Sequence, residues 1–302
     1  MRIFLKPPQT SRGLQRIADA LTRYAPQGVE IVDNQANADL VILYAIGRCE
    51  ALKERAGWLR QWGQKYAVIQ CCLRSTQKPN TLDWWWLWSN ARLVWSYYNL
   101  QHAILEDDWL VPDHEMRHFQ NFYHAPLGAD AGVFWPDQNV DKDFTIATSG
   151  LSYLSESVRE CWLAAGIAHG NVFHVGPELR FRQPTNGIVF SNNCDDNWLS
   201  AYYQQCKYVS GLRRKEGFEL PAVEGLLCGA RPILFDNPDF VHWYRPWGVF
   251  IKETDRQGVI DQLVEIFCGG YHLPVTEEEV AAARERFNWQ TIIGGFYERI
   301  LR

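Results

Sequence analysis

Residues 208–235 read YVSGLRRKEGFELPAVEGLLCGARPILF, two apolar runs separated by a charged loop and a helical segment. The apolar runs, 208–209 and 232–235, are typical of buried strands. Between them, Pro221 fits the first turn of a helix that begins near Leu220, and Gly229 fits its end. A strand, a helix and a second strand within about 30 residues form the βαβ unit of a parallel sheet.

The same alternation extends along the chain on both sides of this unit. The further predicted strands are 2–6, 29–32, 38–46, 66–72, 93–97, 144–148, 172–175 and 187–191, and the further helices are one from Gly13 onward, 49–62, 155–166, 196–205, 256–268 and 276–302. Because a chain of 302 residues exceeds what one core usually organises, two domains are expected. Two successive series predict an α/β protein with two Rossmann-like domains and a cleft between them.

The composition is that of a folded globular protein, with 47% hydrophobic and 22% charged residues. The formal net charge of −5 does not favour a broad surface for nucleic acid. No apolar run reaches the roughly 20 residues that a membrane-spanning helix needs, and the first residues lack a signal-peptide core. We therefore expect a cytoplasmic protein.

Cysteine and tryptophan are the residue types that need an explanation. The eight cysteines show no C-x-x-C spacing, so they predict buried, reduced thiols and not a metal or redox site. Five of the 14 tryptophans fall between 84 and 95. We interpret this segment as a core or interdomain helix followed by a strand. The alternative is an aromatic patch for a membrane surface or an acceptor.

Two carboxylates flank the start of the helix near Leu220. Glu216 precedes it in a loop, and Glu224 lies one turn further in. A helix N-terminus offers unpaired backbone N–H groups and a positive dipole end, which suit a diphosphate. The carboxylates can accept hydrogen bonds from sugar and ribose hydroxyls.

The segment from Glu216 to Glu224 resembles the E-x7-E signature of the retaining GT-B glycosyltransferases often labelled group 1. The agreement continues outside the motif: residues 124–130, with Phe134 and Pro136, are similar to the family's passage into its second domain, and residues 287–289 to its F-S-W before the last helix. The resemblance covers about 120–302 and rests only on element order before that.

This resemblance implies a GT-B fold with an acceptor domain, 1–128, and a donor domain, 129–302, whose final helix crosses back to the first. The implied activity is transfer of a sugar, with retention, from a nucleotide sugar such as a UDP- or GDP-sugar to a small-molecule, glycan or lipid-linked acceptor. The nucleotide sugar is a co-substrate, and no cofactor or metal is implied.

Site residues follow from the same resemblance. It implies that Glu216 is catalytic and contacts the transferred sugar, and that Glu224 holds the ribose. Backbone amides of Gly217, Phe218 and Leu220 would face the sugar and diphosphate.

The family's phosphate-binding lysine has no counterpart here, and the basic residues before Glu216 are the candidates to replace it: Arg213, Arg214 and Lys215. In the first domain, Gly13 would let the backbone approach the diphosphate, with Arg12 as a phosphate partner. Backbone near Phe190 and Ser191 would contact the nucleobase.

Two alternatives remain at this point. The acceptor could be a modified base in DNA, which requires a local basic groove and base extrusion. The chain could also be a degenerate member that binds nucleotide without turnover.

Overall fold

The structure is a computed structural model that describes residues 1–7, 12–46, 49–71, 81–98, 121–150, 157–176, 187–191, 194–214, 217–269 and 274–302. These residues form two compact units. The first contains the described residues of 1–127, 215–218 and 289–302, and the second those of 128–214 and 219–288.

The first unit is built on a parallel six-stranded sheet in the order β2-β1-β3-β4-β5-β6. Its buried centre is β3, an unbroken apolar run of the kind that a sheet covered on both faces requires. The elements are β1 (Arg2–Phe4), α1 (Arg12–Arg23), β2 (Glu30–Ile31), a 3₁₀ turn (Gln35–Asn37), β3 (Leu40–Ala45), α2 (Cys49–Gln61), β4 (Lys65–Gln70), α3 (Thr81–Ser89), β5 (Val94–Ser96) and β6 (Phe122–His124).

The second unit contains another parallel six-stranded sheet, in the order β12-β11-β10-β7-β8-β9. Its elements are β7 (Phe144–Ser149), α4 (Val158–Ile167), β8 (Val172–Val175), β9 (Ile188–Ser191), α5 (Asp196–Gln204), β10 (Cys206–Gly211), α6 (Leu220–Leu227), β11 (Arg231–Phe235), α7 (Pro238–Tyr244), β12 (Val249–Ile251), α8 (Arg256–Cys268) and α9 (Glu277–Arg286). The last helix, α10 (Trp289–Leu301), belongs to the first unit, where the Tyr297 hydroxyl donates to Leu21 O at 2.7 Å.

In each sheet the chain first adds strands on one side of the starting strand and then switches to the other side. In the first, the chain adds β2 on one side of β1 and β3 on the other; in the second, β8 and β9 extend one side of β7 and β10 starts the other. In doubly wound sheets ligands bind at such a switch point, outside the carboxyl ends of the strands. The loop after β10 begins there.

The α/β alternation predicted from the sequence is confirmed, and the element ends differ by a few residues. The predicted helix 276–302 is wrong as a single element: α9 and α10 are separate. Phe287 ends α9 with its N–H bonded to Ala283 O at 2.9 Å. Its ring is fully buried against Tyr244 and Trp247, and this packing turns the chain. Strands β6 and β12 were not predicted; each has three residues and lies at the edge of its sheet.

Two of the four tryptophans of α3 belong to the core of the first unit. Trp84 and Trp88 are buried and stacked, with ring centroids 5.8 Å apart. The indole N–H of Trp88 donates to Gln70 Oε1 at 2.9 Å, and that of Trp95 to Ala125 O at 3.0 Å. A surface-patch interpretation is therefore wrong for these three residues. Among the described residues of this unit, the strongly exposed tryptophans are Trp58 and Trp62, on and just after α2.

The seven described cysteines are free thiols, and six are buried as expected. Cys268, at the end of α8, is exposed, so the expectation is wrong there. None of the described helices combines the length and apolarity needed to cross a membrane.

His174 gives the second unit a pH-dependent stability. The imidazole is fully buried on β8, with Nδ1 2.9 Å from Thr148 Oγ1 and its ring against Trp162. Burial lowers the pKa of His174 from 6.5 to about 4. The unfolded chain therefore binds this proton more readily, and stability is lost as the pH falls from 6.5 towards 4.

We expect the wild-type protein to lose about 2 kcal/mol of unfolding free energy between pH 7 and pH 5 through this residue. Urea unfolding of wild type and His174→Gln at both pH values measures it. The variant should show a correspondingly smaller loss, and equal losses in the two proteins would contradict the assignment.

Candidate functional site

The carboxyl end of β10 lies at the switch point of the second sheet. It leads into the segment that carries Arg213, Arg214 and Lys215, which we call the basic loop. After Gly211 the chain runs through Arg213 and Arg214, and α6 begins at Leu220. The backbone N–H of Arg213 bonds to Gly211 O at 2.9 Å, which turns the chain out of the strand.

Helix α6 is held close to the sheet by a glycine. A Cβ on Gly225 would lie 2.6 Å from Val209 Cγ1 on β10, so a larger side chain would push the helix away. Most of the helix is buried, from Ala222 to Leu227. The N-terminus of α6 is therefore fixed at the carboxyl edge of the sheet.

Glu219 is the N-cap residue of α6, yet its side chain does not cap the helix. Its carboxylate pairs with the guanidinium of Arg213, with Nε and Oε2 3.2 Å apart, and only 2% of the Glu219 side chain is exposed. The Tyr244 hydroxyl donates to Glu219 O at 2.7 Å. A buried carboxylate beside a helix N-terminus is favoured by the dipole and by the cation, so the pair ties the two ends of the loop together.

Arg214 is held by two carboxylates of the same unit. Its guanidinium lies 3.4 Å from Glu253 Oε1 and 3.8 Å from Glu160 Oε1, and it covers the ring of Phe235 at 5.1 Å from the centroid. Much of its charge is therefore already balanced.

Glu224 occupies the second turn of α6 and is 2% exposed. A carboxylate that far from water needs polar partners. The sequence placed it one turn into the helix, and the structure agrees.

Gly217 and Phe218 pack within the first unit. A Cβ on Gly217 would come within 2.4 Å of the Tyr98 ring, so glycine is required for this close approach. The ring of Phe218 is buried 5.9 Å from that of Tyr97. This packing occupies the Phe218 side chain, and the ligand contacts expected of these two residues concern their backbone amides.

Several predicted site residues are described in part or not at all. Lys215 and Glu216 lie outside the described residues, as do the side chains of Arg12 and Phe190. Leu220, half-buried, is the first residue of α6. Gly13 is in the first turn of α1, after β1, at the switch point of the first sheet.

Ser191 ends β9, the edge strand of the second sheet, two strands from the switch-point strand β7. Its carbonyl accepts from Gly176 N at 3.0 Å.

The chain contains an Asp-x-Asp triplet, Asp141-Lys142-Asp143. Paired carboxylates of this kind can hold a divalent cation. Asp143 directly precedes β7, so the triplet lies at the amino edge of the sheet, opposite Arg213 and Glu219. It does not join the candidate site.

Solved structures of similar architecture include HepE of Anabaena in complex with UDP-glucose, with a TM-score of 0.69 and 14% identity over 98% of both chains. The sucrose-phosphate synthase of Thermosynechococcus elongatus gives 0.62 and 14% over 98% of this chain and 80% of that one. A glycosyltransferase from Rickettsia africae gives 0.67 and 12% over 100% and 98%. The chain has the GT-B fold.

No protein-family model matches the sequence, and the search of curated proteins gives no match. At these identities the likeness establishes the GT-B fold alone. The two βα series read from the sequence are the two halves of that fold.

The sequence missed the partners of the basic loop. Glu160 and Glu253 lie more than thirty residues from Arg214 in the chain, so no local spacing announces the pairs. The pairing of Glu219 with Arg213 was not foreseen either.

Proposed function

We propose that this protein is a glycosyltransferase that takes a sugar from a nucleotide-sugar donor, most simply a UDP-sugar. The observation that carries the proposal is the N-terminus of α6, fixed at the switch point of the second GT-B sheet beside Arg213 and the buried Glu224. Such a terminus binds phosphate oxygens through its unpaired N–H groups. Complexes of the similar structure HepE with UDP and UDP-glucose support the same choice of donor.

In this proposal each residue has a separate task. The amides at the start of α6, at Leu220, and those of Gly217 and Phe218 bind the diphosphate and sugar. Arg213 offsets the charge of the leaving diphosphate, with Arg214 and Lys215 as further cations. Gly13 and Arg12 approach the diphosphate from the first domain, 1–128.

Glu224 holds the ribose in the donor domain, 129–302, and the backbone at Phe190 and Ser191 contacts the nucleobase. Glu216 contacts the sugar and stabilises positive charge at its anomeric carbon. The proposal further includes retention of configuration, transfer without a metal and a cytoplasmic location. The free thiols of the described cysteines fit that location. The acceptor is a small molecule, a glycan or a lipid-linked molecule.

Transfer to water tests the reaction without a known acceptor. The protein is incubated with UDP-glucose, and both UDP release and the anomer of the freed glucose are followed by NMR. We expect α-glucose to appear first, at a rate that EDTA leaves unchanged. Appearance of β-glucose first would contradict retention, and a rate lost in EDTA and restored by a divalent cation would contradict metal independence.

A nucleotide-binding protein without turnover is the second candidate. It is favoured by the pairing of Arg213 with Glu219 and of Arg214 with Glu160 and Glu253, which leaves less positive charge for a leaving diphosphate. UDP binding together with no UDP release from several UDP-sugars would support it.

A further inference from the structure

A basic cavity of about 430 Å³ lies in the first unit, at the amino ends of the strands, where β4 begins. Its lining includes the cations Arg60, Lys65 and Arg92 beside the amides of Gln64 and Asn90. None of the described residues that line it is acidic. In a protein whose formal net charge is −5, this local excess of positive charge suits an anion.

The three cations come from three places in the fold. Arg60 is in the last turn of α2, Lys65 is the first residue of β4, and Arg92 lies between α3 and β5. The backbone N–H of Arg92 donates to Tyr66 O at 2.7 Å. The Arg60 guanidinium is 5.6 Å from the centroid of the Trp86 ring. The hydrogen bond fixes the backbone of Arg92 beside β4, and the stacking positions the guanidinium of Arg60, before a ligand binds.

In the described part of the chain no carboxylate forms an ion pair with Arg60, Lys65 or Arg92. Their positive charge is therefore available to a ligand. The negative end of α2 is also covered, because Leu59 O accepts from Gln64 N at 2.8 Å and Arg60 O from Gly63 N at 3.0 Å.

We propose that this cavity binds a phosphate group. Two arginines can each offer a planar pair of N–H donors to phosphate oxygens, and Lys65 adds a point charge. The cavity lies at the amino ends of the strands, whereas a doubly wound sheet binds its principal ligand at the carboxyl ends. The proposal is therefore independent of the nucleotide-sugar site.

The phosphate group has two possible sources: a soluble phosphate compound or a phospholipid headgroup. The second source is motivated by Trp58 and Trp62, which are 64% and 82% exposed. They are four residues apart at the end of α2, so they lie on one face, and tryptophan favours the headgroup level of a bilayer.

The soluble source is tested by titrating the full chain with inorganic phosphate in a calorimeter. The cavity variant is Arg60→Gln with Lys65→Gln and Arg92→Gln. The control removes the same charge from exposed positions of the second unit: Lys207→Gln, Lys252→Gln and Arg256→Gln. We expect the cavity variant to bind phosphate about tenfold more weakly than wild type, and the control to bind like wild type.

The lipid source is tested by flotation with phosphatidylcholine vesicles, with and without phosphatidic acid. Binding that requires phosphatidic acid and is lost in both the cavity variant and Trp58→Ala/Trp62→Ala assigns the lipid source. Trp198→Ala, which removes a 60% exposed tryptophan of the second unit, is the control. Phosphate binding without flotation assigns a soluble source.

The proposal is overturned if the cavity variant binds phosphate as tightly as wild type, or no more weakly than the exposed-charge control, and if it also floats with phosphatidic acid vesicles as wild type does. Circular dichroism checks that each variant is folded. None of these variants changes α6, so phosphate that binds there contributes equally to every titration. The comparison of the cavity variant with its control therefore holds even if the proposed nucleotide-sugar function is wrong.

Discussion

We expect Glu216→Gln to lower kcat for sugar transfer by about 100- to 1,000-fold, which corresponds to about 2.7–4 kcal/mol of barrier. Positive charge grows at the anomeric carbon as its bond to the diphosphate breaks, and a carboxylate facing that carbon stabilises the transition state more than the ground state. Glutamine keeps the shape of the side chain and removes its charge. The donor KM should therefore change little.

Steady-state kinetics of UDP-glucose hydrolysis measures this effect. Glu265→Gln, which neutralises an exposed carboxylate on α8, is the matched control and should behave like wild type. A kcat of Glu216→Gln equal to that of wild type would refute the catalytic role of Glu216.

Glu224→Gln is expected to raise the donor KM with a smaller effect on kcat. Glu224 is 2% exposed on α6, and the contact of Gly225 with Val209 fixes that helix on β10. A carboxylate so placed would bind ribose hydroxyls equally well in the ground and transition states, so its loss should cost binding. We expect about 1–3 kcal/mol, or roughly 5- to 150-fold in KM.

The calorimetric Kd for UDP should rise by the same factor in Glu224→Gln, which separates binding from chemistry. A variant with normal UDP affinity and a lowered kcat would reverse the roles assigned to the two glutamates. The thermal unfolding midpoint of Glu224→Gln must be recorded as well, because the side chain is buried.

The fold could be predicted from the sequence because long apolar runs specify buried parallel strands. The run LVILYA of β3 is buried along its whole length, and the 208–235 segment forms the predicted strand, helix and strand. The equally short strands β1 and β5 were predicted because they lie within the longer patterns 2–6 and 93–97. Strands β6 and β12, which lie at the edges of their sheets, were not predicted.

The candidate site could be predicted in part. The position of Glu224 in α6 followed from Pro221 and the helical spacing. The pairing of Arg213 with Glu219 and of Arg214 with Glu253 could not be predicted, because such contacts depend on where β10, α6 and β12 meet in space. The basic cavity likewise brings Arg92 to Arg60 and Lys65 from a different part of the chain, so no local spacing groups the three.

The central claim is that the start of α6 binds the diphosphate of a nucleotide sugar, and a thermal-shift measurement with UDP tests it most directly. A ligand that binds the native state alone must raise the unfolding midpoint, by an amount that grows with its concentration. We predict that UDP and UDP-glucose raise the midpoint of the wild-type protein, and that the shift is smaller in Glu224→Gln. An unchanged midpoint with UDP, GDP and their glucose or mannose derivatives at millimolar concentration would contradict the account.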